Sequence, residues 1–376
     1  MARGVQWVAG MTTTSAPGAP PFCPAPDCRF HRSPAPGWHW VRIGHYRRQR
    51  PPWTVQRYRC SHCRRSFSDQ TFTVSYWLRR PELIGPVFHR LVGCSGYRQI
   101  ARECEVSPST IARHAARLGR HCLLFHQRMR PRGPIAERLV LDGFESFEWS
   151  QYHPTSFHLL AGAPSHYCYG FTDSERRRSG RMSARQRRRR AALEARWGRP
   201  DPRSVEREVA TLLALVAPQP QRLELDSDEH QDYPRALRRV GHLTVQHRMT
   251  ASRAARTARN PLFAINLLDL LIRHSGANHK RETIAFSKRR QSAVERLWVF
   301  VVWRNWLKWF SERRRDATPA MRLGLTERRW QVAEVLGERL FPSRVVLPER
   351  WARYYRREVR TRAIARCSTH HLRYAS

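Results

Sequence analysis

The chain has 376 residues, with 69 Lys and Arg against 30 Asp and Glu, so its formal net charge is +39. This length exceeds one ordinary hydrophobic core and predicts two or three domains, and with 41% hydrophobic residues most of the chain can fold. Because such a charge opposes compaction, we expect a polyanionic partner, first of all nucleic acid and alternatively an anionic membrane surface. An arginine-rich background composition would explain part of the positive charge but not the scarcity of acids.

The sequence gives no sign of export or of membrane insertion. Residues 1–20 lack the basic-then-apolar layout of a secretory signal, and their Thr, Ser, Ala, Gly and Pro content predicts a disordered lead-in. The most apolar run, 298–310, is short for a bilayer and contains Arg304 and Lys308. Nine cysteines, an odd number, indicate metal ligands and free thiols rather than disulfides. We therefore expect a cytoplasmic protein without a membrane partner.

Two cysteine pairs lie in the segment 21–75. Cys23 and Cys28 are separated by four residues, Cys60 and Cys63 by two, and 31 residues lie between the pairs. Two such knuckles can place four thiolates around a structural Zn²⁺, which would fold a basic segment too poor in apolar residues to fold alone. The first spacing is looser than usual, so His31 is an alternative ligand. We predict a zinc ribbon over 21–75.

A helix-turn-helix pattern follows in 76–127. A short helix over 95–104 leads into a turn, after which Ser107 is a good N-cap and Pro108 suits the first helical position. The second helix is predicted over 109–120. In DNA-binding proteins this helix enters the major groove, whereas in an ordinary helical hairpin it would only expose a solvated basic face. The residues expected on its outward face are Ser109, Thr110, Arg113, His114 and Arg117.

Strands and helices alternate over 135–316. Three strands come first, then a helix marked by the apolar stripe from Val205 to Val216, then a strand, a helix, a strand and a helix. An RNase-H-like fold with a mixed sheet has this order, so we expect a multidomain α/β protein in which 135–316 adopts that fold. The predicted strands are 138–142, 157–163, 167–171, 222–228 and 242–247, and the last two predicted helices are 234–240 and 261–274.

Acidic residues occupy the positions at which carboxylates converge in such a fold. Asp142 ends the first strand, Asp228 ends the fourth, and Asp269 lies in the helix after the fifth. In an RNase-H-like fold these positions hold two divalent ions, and the oxygen ligands suit Mg²⁺ or Mn²⁺. Each acid alone could equally be a solvated surface residue. Asp226 competes with Asp228, because it lies two positions earlier on the same strand face.

Three further polar residues lie close to these acids along the chain. Glu145 and Glu148 follow Asp142 at short spacing and could contact the metal ligands rather than the metal. His230 follows Asp228 and could orient a water or a phosphate, although such a histidine is more often an ordinary loop residue.

Three motifs carry a family resemblance. Arg-Tyr-Arg precedes the second cysteine pair over 57–63, Ser227-Asp228-Glu229-His230 is followed by Tyr233, and 283–288 reads Thr-Ile-Ala-Phe-Ser-Lys. Over about residues 20 to 310 the chain resembles bacterial insertion-sequence transposases of the zinc-ribbon, helix-turn-helix and DDE type. The resemblance implies cutting of the element's ends and joining of the freed 3′-hydroxyl to target DNA. It also implies double-stranded DNA as partner, a homodimer or higher oligomer on DNA, and association with a prokaryotic nucleoid.

The third acid departs from the family pattern. The usual Glu-x-x-Asn positions carry Asn266 and Asp269, so the acid and the amide have changed places. Because residues three apart share a helix face, either could face a metal site, and we expect Asp269 to be the ligand. Glu282 and Glu295 are the alternatives, or the ligand is lost. The hypotheses are therefore an active transposase and a catalytically inactive DNA-binding protein or regulator derived from one.

Two arginine-rich segments remain. An insertion over 175–202, with runs that include Arg187 and Arg188, is either a solvated, disordered run or an arm that follows phosphates. The segment 317–376 is predicted to be a helical basic extension that faces DNA or a second protomer. Its aromatic residues in this prediction are Trp351, Tyr354 and Tyr355.

Overall fold

The structure is a computed structural model that describes residues 19–32, 37–364 and 369–371. The predicted lead-in therefore lies almost wholly outside the described residues. Within them the protein is mixed α/β, with a three-stranded sheet and a five-stranded sheet. None of the described helices combines the length and the apolar character that crossing a bilayer requires.

The three-stranded sheet is formed by β1 (Trp40–Arg47), β2 (Thr54–Cys60) and β3 (Ser66–Ser68), which pair antiparallel in that order. Burial alternates from Tyr58 to Cys60, so these two residues face inward while Arg59 between them is exposed. A small aromatic core covers this inner face and takes one ring from far along the chain. Its buried rings are Phe22, Phe30, Tyr58, Phe67, Phe72 and Phe341.

Three helices follow the ribbon: α1 (Ile84–Val92), α2 (Tyr97–Glu103) and α3 (Pro108–Met129). The predicted cap is confirmed, because the Ser107 side chain accepts a hydrogen bond from the backbone N–H of Thr110. The helix is longer than the predicted 109–120. No proline or glycine stops it after residue 120, and its additional turns are buried.

The five-stranded sheet has mixed pairing. Its spatial order is the third, second, first, fourth and fifth strand in chain order; the first three pair antiparallel, and the fourth pairs parallel with both the first and the fifth. The predicted succession of strands is confirmed. The strands are β4 (Leu139–Phe147), β5 (Pro154–Gly162), β6 (Cys168–Glu175), β7 (Gln221–Asp228) and β8 (Leu243–Thr250).

Four helices connect or follow the last three strands: two lie between β6 and β7, one lies between β7 and β8, and one follows β8. They are α4 (Ala184–Trp197), α5 (Ser204–Val216), α6 (Asp232–Leu237) and α7 (Phe263–Ser275). The predicted apolar stripe of α5 is buried and packs against β5 and β6, as expected. Helix α7 packs against β4 and β5, which brings its side chains to the strand that carries Asp142.

A buried helix, α8 (Arg290–Val302), lies at the centre of the molecule. Every residue except Ser292 is buried, and the helix continues into a π-helical turn, Trp303–Leu307. It packs against α1, α3 and α7, so one cluster of buried hydrophobic residues runs from Val74 to Val359. Helices α1, α2 and α3 therefore share their core with the larger sheet. The predicted domain boundaries stay predictions.

The tail forms three short helices, α9 (Pro319–Arg322), α10 (Val332–Gly337) and α11 (Glu349–Tyr355). The prediction that the aromatic residues of the tail face DNA or a second protomer is wrong. The indole N–H of Trp351 donates to the carbonyl of Phe171 at 3.1 Å. These aromatic residues pack onto β6 and α8 and are buried: Trp351, Tyr354 and Tyr355.

Candidate carboxylate and cysteine sites

Four thiols meet where the two cysteine knuckles face each other. The sulfur atoms of Cys23, Cys28, Cys60 and Cys63 all lie within 4.8 Å of one another. The Sγ atoms of Cys23 and Cys63 are 3.6 Å apart. Three of the four residues are buried. Four thiols at this spacing could hold a structural zinc ion, and the ligand set leaves no position for a substrate.

The hydrogen bonds around Cys60 in the second knuckle favour its deprotonated form. Arg64 has a φ of 62°, and its N–H donates to the carbonyl of Cys60, which closes the tight turn. Burial raises the pKa of the Cys60 thiol, but hydrogen bonds from the Trp38 indole and from backbone N–H groups of the knuckle lower it to about 7. A thiol with this pKa is readily deprotonated, as a zinc ligand must be.

His31 does not belong to the thiol cluster. Its Nδ1 donates to the carbonyl of Cys23 at 2.7 Å, and its Nε2 lies 2.6 Å from the hydroxyl of Ser343. Both ring nitrogens are therefore engaged by other groups. The alternative in which His31 replaces a cysteine does not agree with these contacts.

The sheet brings two of the predicted catalytic aspartates side by side. Strands β4 and β7 pair in parallel from Leu139 opposite Leu225 to Leu141 opposite Ser227, so the next residues in register are Asp142 and Asp228. Burial, and then the charge of Asp228, raise the pKa of Asp142 to about 6. The two carboxylates therefore interact across one strand spacing.

Asp269 reaches the same place from α7. Burial, and then the charge of Asp142, raise its pKa well above the ordinary value, while Arg273 and Arg256 act in the opposite direction. Its Oδ1 is buried and accepts no hydrogen bond from the described residues. Asn266, one turn earlier, is half-buried. A buried carboxylate oxygen without a donor is costly unless a cation or a proton satisfies it.

Tyr233 is a member of this site that the sequence supplied only as a spacing marker. It is 3% exposed, and its pKa is raised well above the ordinary value by burial and then by Asp142, Asp228 and Asp269. One phenol therefore lies within electrostatic range of all three carboxylates. We define the carboxylate site as these four residues. The motif spacing after Asp228 was the only signal in the sequence for it.

The carboxylate site is more open than the thiol cluster. Among the residues that the structure describes, the four cysteines are the single group of three or more Cys, His, Asp or Glu whose ligand atoms all lie within 4.8 Å. The three aspartates converge without reaching that spacing. Two metal ions about 3.5–4 Å apart need ligands spread over a larger span than one ion does.

The neighbours predicted for the acids have supporting contacts. The backbone N–H of His230 donates to Oδ1 of Asp228 at 3.0 Å, and its Nε2 lies 3.4 Å from Nη1 of Arg176. Glu145 is exposed, and its carboxylate is 3.7 Å from Arg176. His230 thus holds Asp228 through the backbone, and Arg176 joins these side chains at the edge of the site.

The alternative acids do not enter the site. Glu282 is exposed. Glu295 is buried in α8 and forms an ion pair with Arg357 at 2.7 Å. Asp226 is buried two residues earlier on β7, where Arg138 pairs with it at 3.1 Å. Each of the two buried acids thus has its own cationic partner, which favours Asp228 and Asp269 as the members of the site.

Glu148 belongs to a different group of side chains. Its carboxylate accepts a hydrogen bond from Thr361 at 2.6 Å and lies 3.8 Å from Arg290. Burial raises its pKa to about 7. The expectation that Glu148 contacts the metal ligands is therefore wrong, because the carboxylate joins the tail to the start of α8.

Two predicted DNA-contacting residues are on the wrong face of α3. His114 is 3% exposed, and its ring nitrogens bond to the carbonyls of Thr110 and Arg80. Arg117 is 7% exposed and donates to the carbonyls of the segment that enters the helices, at Val74 and Tyr76. The expectation that they face outward is wrong, because this segment covers them. The remaining candidates stay accessible: Ser109, Thr110 and Arg113.

The arginine-rich insertion contains an ordered, solvent-facing helix. No residue of α4 is buried, and Arg187 and Arg188 are exposed. Ser183 caps the helix by accepting from the N–H of Gln186 at 3.2 Å. Glu194 in its last turn pairs with Arg177 at 2.8 Å. The arginine run is therefore presented on a capped helix rather than on a structureless loop.

Comparisons of this sequence with models of protein families and with curated proteins found no match to it.

Proposed function

We propose that this protein is a DNA transposase that binds the ends of an insertion sequence and catalyses metal-dependent cleavage and strand transfer. One observation carries the proposal: Asp142 and Asp228 are register neighbours on parallel strands, and Asp269 approaches from the helix after the fifth strand. Carboxylates from these three elements are the arrangement that phosphodiester transfer by two metals uses.

The sheet supports an RNase-H-like assignment for 135–316. Its first three strands form an antiparallel meander, and the fourth and fifth continue in parallel from the first strand. This is the order predicted for such a domain, with α4 and the rest of 175–202 inserted between the third and fourth strands. In the proposed layout a zinc ribbon and a helix-turn-helix segment precede the domain.

The residues present fit a divalent cation. Oδ1 of Asp269 is buried without a donor, and mutual repulsion with Asp228 adds to burial in raising the pKa of Asp142 to about 6. Oxygen ligands of this kind select Mg²⁺ or Mn²⁺. When bound, these ions would activate the attacking oxygen and stabilise charge on the phosphate. Asp142, Asp228 and Asp269 would hold them.

The surrounding side chains hold the ligands in place. The N–H of His230 donates to Asp228 at 3.0 Å and so fixes that carboxylate at the strand end. Arg273 donates to the carbonyl of His279 at 3.1 Å, and its charge favours the ionised form of Asp269. The phenol of Tyr233 is buried within electrostatic range of the three carboxylates.

The binding surfaces suit double-stranded DNA. Arg113 is exposed on α3, and the exposed arginines of α4 lie in the insertion between β6 and α5. In the proposal, α3 contacts the ends of the element, α4 follows phosphates, and a structural Zn²⁺ holds the ribbon. We further propose that the protein works in the prokaryotic nucleoid as a homodimer or higher oligomer on DNA.

An inactive DNA-binding protein is the second candidate. The observation that favours it is the third acid, since Asp269 stands where the family pattern has Asn and Asn266 stands where it has Glu. The open spacing of the three carboxylates agrees with this candidate as well. Every DNA-binding feature is common to both candidates, so only catalysis separates them.

Strand transfer tests the proposal. Purified protein is incubated with Mg²⁺ or Mn²⁺ and a labelled duplex that carries the DNA end flanking its gene, and joined products are resolved on a gel. We expect joined product from the wild type and none from Asp228→Ala or Asp269→Ala. Glu282→Ala, at an exposed acid outside the site, is the matched control and should retain activity. A wild type that binds the end without cutting it would support the inactive candidate.

A further inference from the structure

A cleft of 430 Å³ opens on the ribbon, apart from the carboxylate site. It lies between the edge strand β3 and the segment 76–78 that leaves the ribbon, and its volume is within the range of roughly 300–1,000 Å³ of ligand-binding clefts. Among the described residues that line it are three arginines and no Asp or Glu. We call it the ribbon cleft. Its electrostatic character suits an anion.

Aromatic side chains line the same cleft and are open to solvent. Trp77 is 81% exposed and Tyr46 is 39% exposed. The ring of Tyr76 lies 5.9 Å from that of Trp77. Trp77 also has a φ of 61°, in the left-handed region that favours glycine. The backbone thus holds a large apolar ring at the surface in a strained conformation, which points to a binding role rather than a packing role.

Two of the three arginines of the ribbon cleft, Arg48 and Arg57, have no acidic partner among the described residues. Nη2 of Arg48 donates to the carbonyl of Leu78 at 3.3 Å, whereas Nη1 is buried and has no hydrogen-bond partner among the described residues. Arg57 is exposed and forms no ion pair with the part of the chain that the structure describes. Arg65 is already held by Asp27 at 2.6 Å. A buried charged donor without an acceptor is costly, and a phosphate oxygen would satisfy it.

We propose that the ribbon cleft binds an unpaired nucleotide of a DNA strand, with the base stacked on Trp77 and the phosphate held by Arg48 and Arg57. In a duplex the faces of the bases are covered by their neighbours, so an exposed indole can stack only on a base that has left the stack. The hydroxyl of Ser66, which is exposed and lines the cleft, can bond to an edge of that base.

The inference deepens the proposed function and rests on it for the source of the nucleotide. Cleavage at an element end exposes unpaired nucleotides, and the ribbon would then hold the cut strand while the duplex stays on α3 and α4. The positive charge of the cleft favours an unpaired nucleotide over a proline-rich peptide that packs against the aromatic rings. Binding of such a peptide is the alternative outcome of the test.

Binding of short oligonucleotides tests the inference. Full-length, zinc-loaded protein is titrated into a labelled oligothymidine of about 12 nucleotides, and separately into a duplex of equal length, without added Mg²⁺, and fluorescence anisotropy is recorded. We expect Trp77→Ala to weaken single-strand binding about tenfold and duplex binding less than about twofold. Trp77→Phe should retain most of the single-strand affinity. The matched control is Trp149→Ala, at an indole 49% exposed outside the ribbon.

Three results would overturn the inference. In the first, Trp77→Ala binds the single strand as tightly as Trp149→Ala does. In the second, Trp77→Ala loses single-strand and duplex affinity equally. In the third, a proline-rich peptide displaces the wild-type protein from the oligonucleotide while an unlabelled oligonucleotide does not. Because the assay measures binding without the catalytic metal, its outcome is separate from success or failure of strand transfer.

Discussion

One carboxylate oxygen of Asp269, Oδ1, is buried and accepts no hydrogen bond from the described residues. Its pKa is raised by burial and by Asp142, so in the absence of a cation the folded protein disfavours the charge that a metal ligand must carry. This is the expected state of a residue selected for binding a cation rather than for stability. The acid that departs from the family pattern therefore has the clearest energetic signature of a metal ligand.

Replacing this carboxylate should stabilise the metal-free protein. We predict that Asp269→Asn raises the free energy of unfolding by about 1 kcal/mol without added Mg²⁺, because the amide is neutral and nearly isosteric. Urea denaturation followed by circular dichroism measures the change.

The control is another buried aspartate that has partners. Asp173 pairs with Arg350 at 3.0 Å and accepts from the hydroxyl of Tyr354 at 2.5 Å. Asp173→Asn should lower the free energy of unfolding by about 3 kcal/mol, because it removes the buried carboxylate that Arg290 and Arg350 share. If Asp269→Asn were destabilising by a similar amount, Asp269 would be a structural residue.

The site residues that could be predicted from the sequence are those whose role depends on their spacing along the chain. Paired cysteine spacings are visible in the sequence, so the thiol cluster was predicted, and Asp228 was correctly placed at the end of β7. Asp142 was wrongly predicted to end its strand, because β5 pairs with β4 along its whole length and the strand continues to Phe147. The burial of His114 and Arg117 was not, because it depends on carbonyls of a segment some 40 residues earlier, at Val74 and Tyr76. A helical wheel shows which face is polar, but it cannot show that another segment covers that face.

Among the elements, α3 and α8 approach each other closely. At Gly119 an added Cβ would lie 2.6 Å from backbone atoms of Glu295, and backbone cannot move aside as a flexible side chain can. The glycine therefore sets the distance between the two helices. This contact joins the helix-turn-helix segment to the core of the sheet.

A methyl group at this contact should separate the helices. We predict that Gly119→Ala lowers the free energy of unfolding by about 1–3 kcal/mol, measured by urea denaturation, although alanine is the better helix former. The control is Gly85→Ala in α1, where no atom of the described residues lies within 4 Å of the added Cβ, and which should be neutral or slightly stabilising. Equal effects of the two substitutions would show that the close approach is absent in solution.

His126 joins α3 to strand β6 of the larger sheet through a hydrogen bond, and this connection is sensitive to pH. Its Nε2 donates to the carbonyl of Tyr169 at 2.9 Å, and burial lowers its pKa to about 3. In the unfolded chain the pKa returns to about 6.5, so the unfolded state takes up the proton first as the pH falls. The stabilisation that His126 contributes is complete above pH 6.5 and decreases progressively below it.

The comparison that isolates this effect uses His126→Gln, which keeps an N–H donor and does not titrate. We predict that the stability of the wild type relative to this variant falls by about 1.4 kcal/mol per pH unit between about pH 6.5 and 4. Urea denaturation of both proteins at several pH values measures it. A difference that does not change with pH would mean that His126 is protonated, or exposed, in the folded protein.

Element boundaries and packing partners were predicted less well than element types. The strands were predicted because the first three contain short, mainly apolar runs and the last two alternate apolar and polar residues. The end of α3 was missed because its last turns, up to Met129, are specified by burial against β6 and α8 rather than by a helix-stop residue. The tail was assigned to the surface because its charge dominates its composition, whereas three aromatic rings determine where it packs.

Over the whole molecule, the charge of +39 is the dominant property. Much of it lies on surfaces that the fold leaves open, and α4 is the clearest, since none of its residues is buried. Neutralisation of phosphates by such residues releases counterions and makes DNA binding steeply dependent on salt. Composition alone predicts a polyanionic partner, but it could not show that the arginine run is a capped helix.

The salt dependence should report directly on α4. We predict that the double variant Arg187→Gln/Arg188→Gln reduces the slope of log Kobs against log [salt] for duplex binding by about 2, roughly 0.9 for each phosphate that the protein no longer neutralises. Fluorescence anisotropy titrations at several salt concentrations measure the slope. An unchanged slope would mean that these two side chains stay solvated when DNA binds.

The central claim is that carboxylates from β4, β7 and α7 form one divalent-metal site. Its most direct test is Mn²⁺ binding by zinc-loaded protein near pH 7.5, followed by electron paramagnetic resonance of the free ion, for the wild type and for Asp142→Asn, Asp228→Asn and Asp269→Asn. We predict that the wild type binds Mn²⁺, that each variant loses most of this binding, and that all four keep their zinc. Binding by Asp269→Asn that equals the wild type, or no binding by the wild type, would contradict the claim.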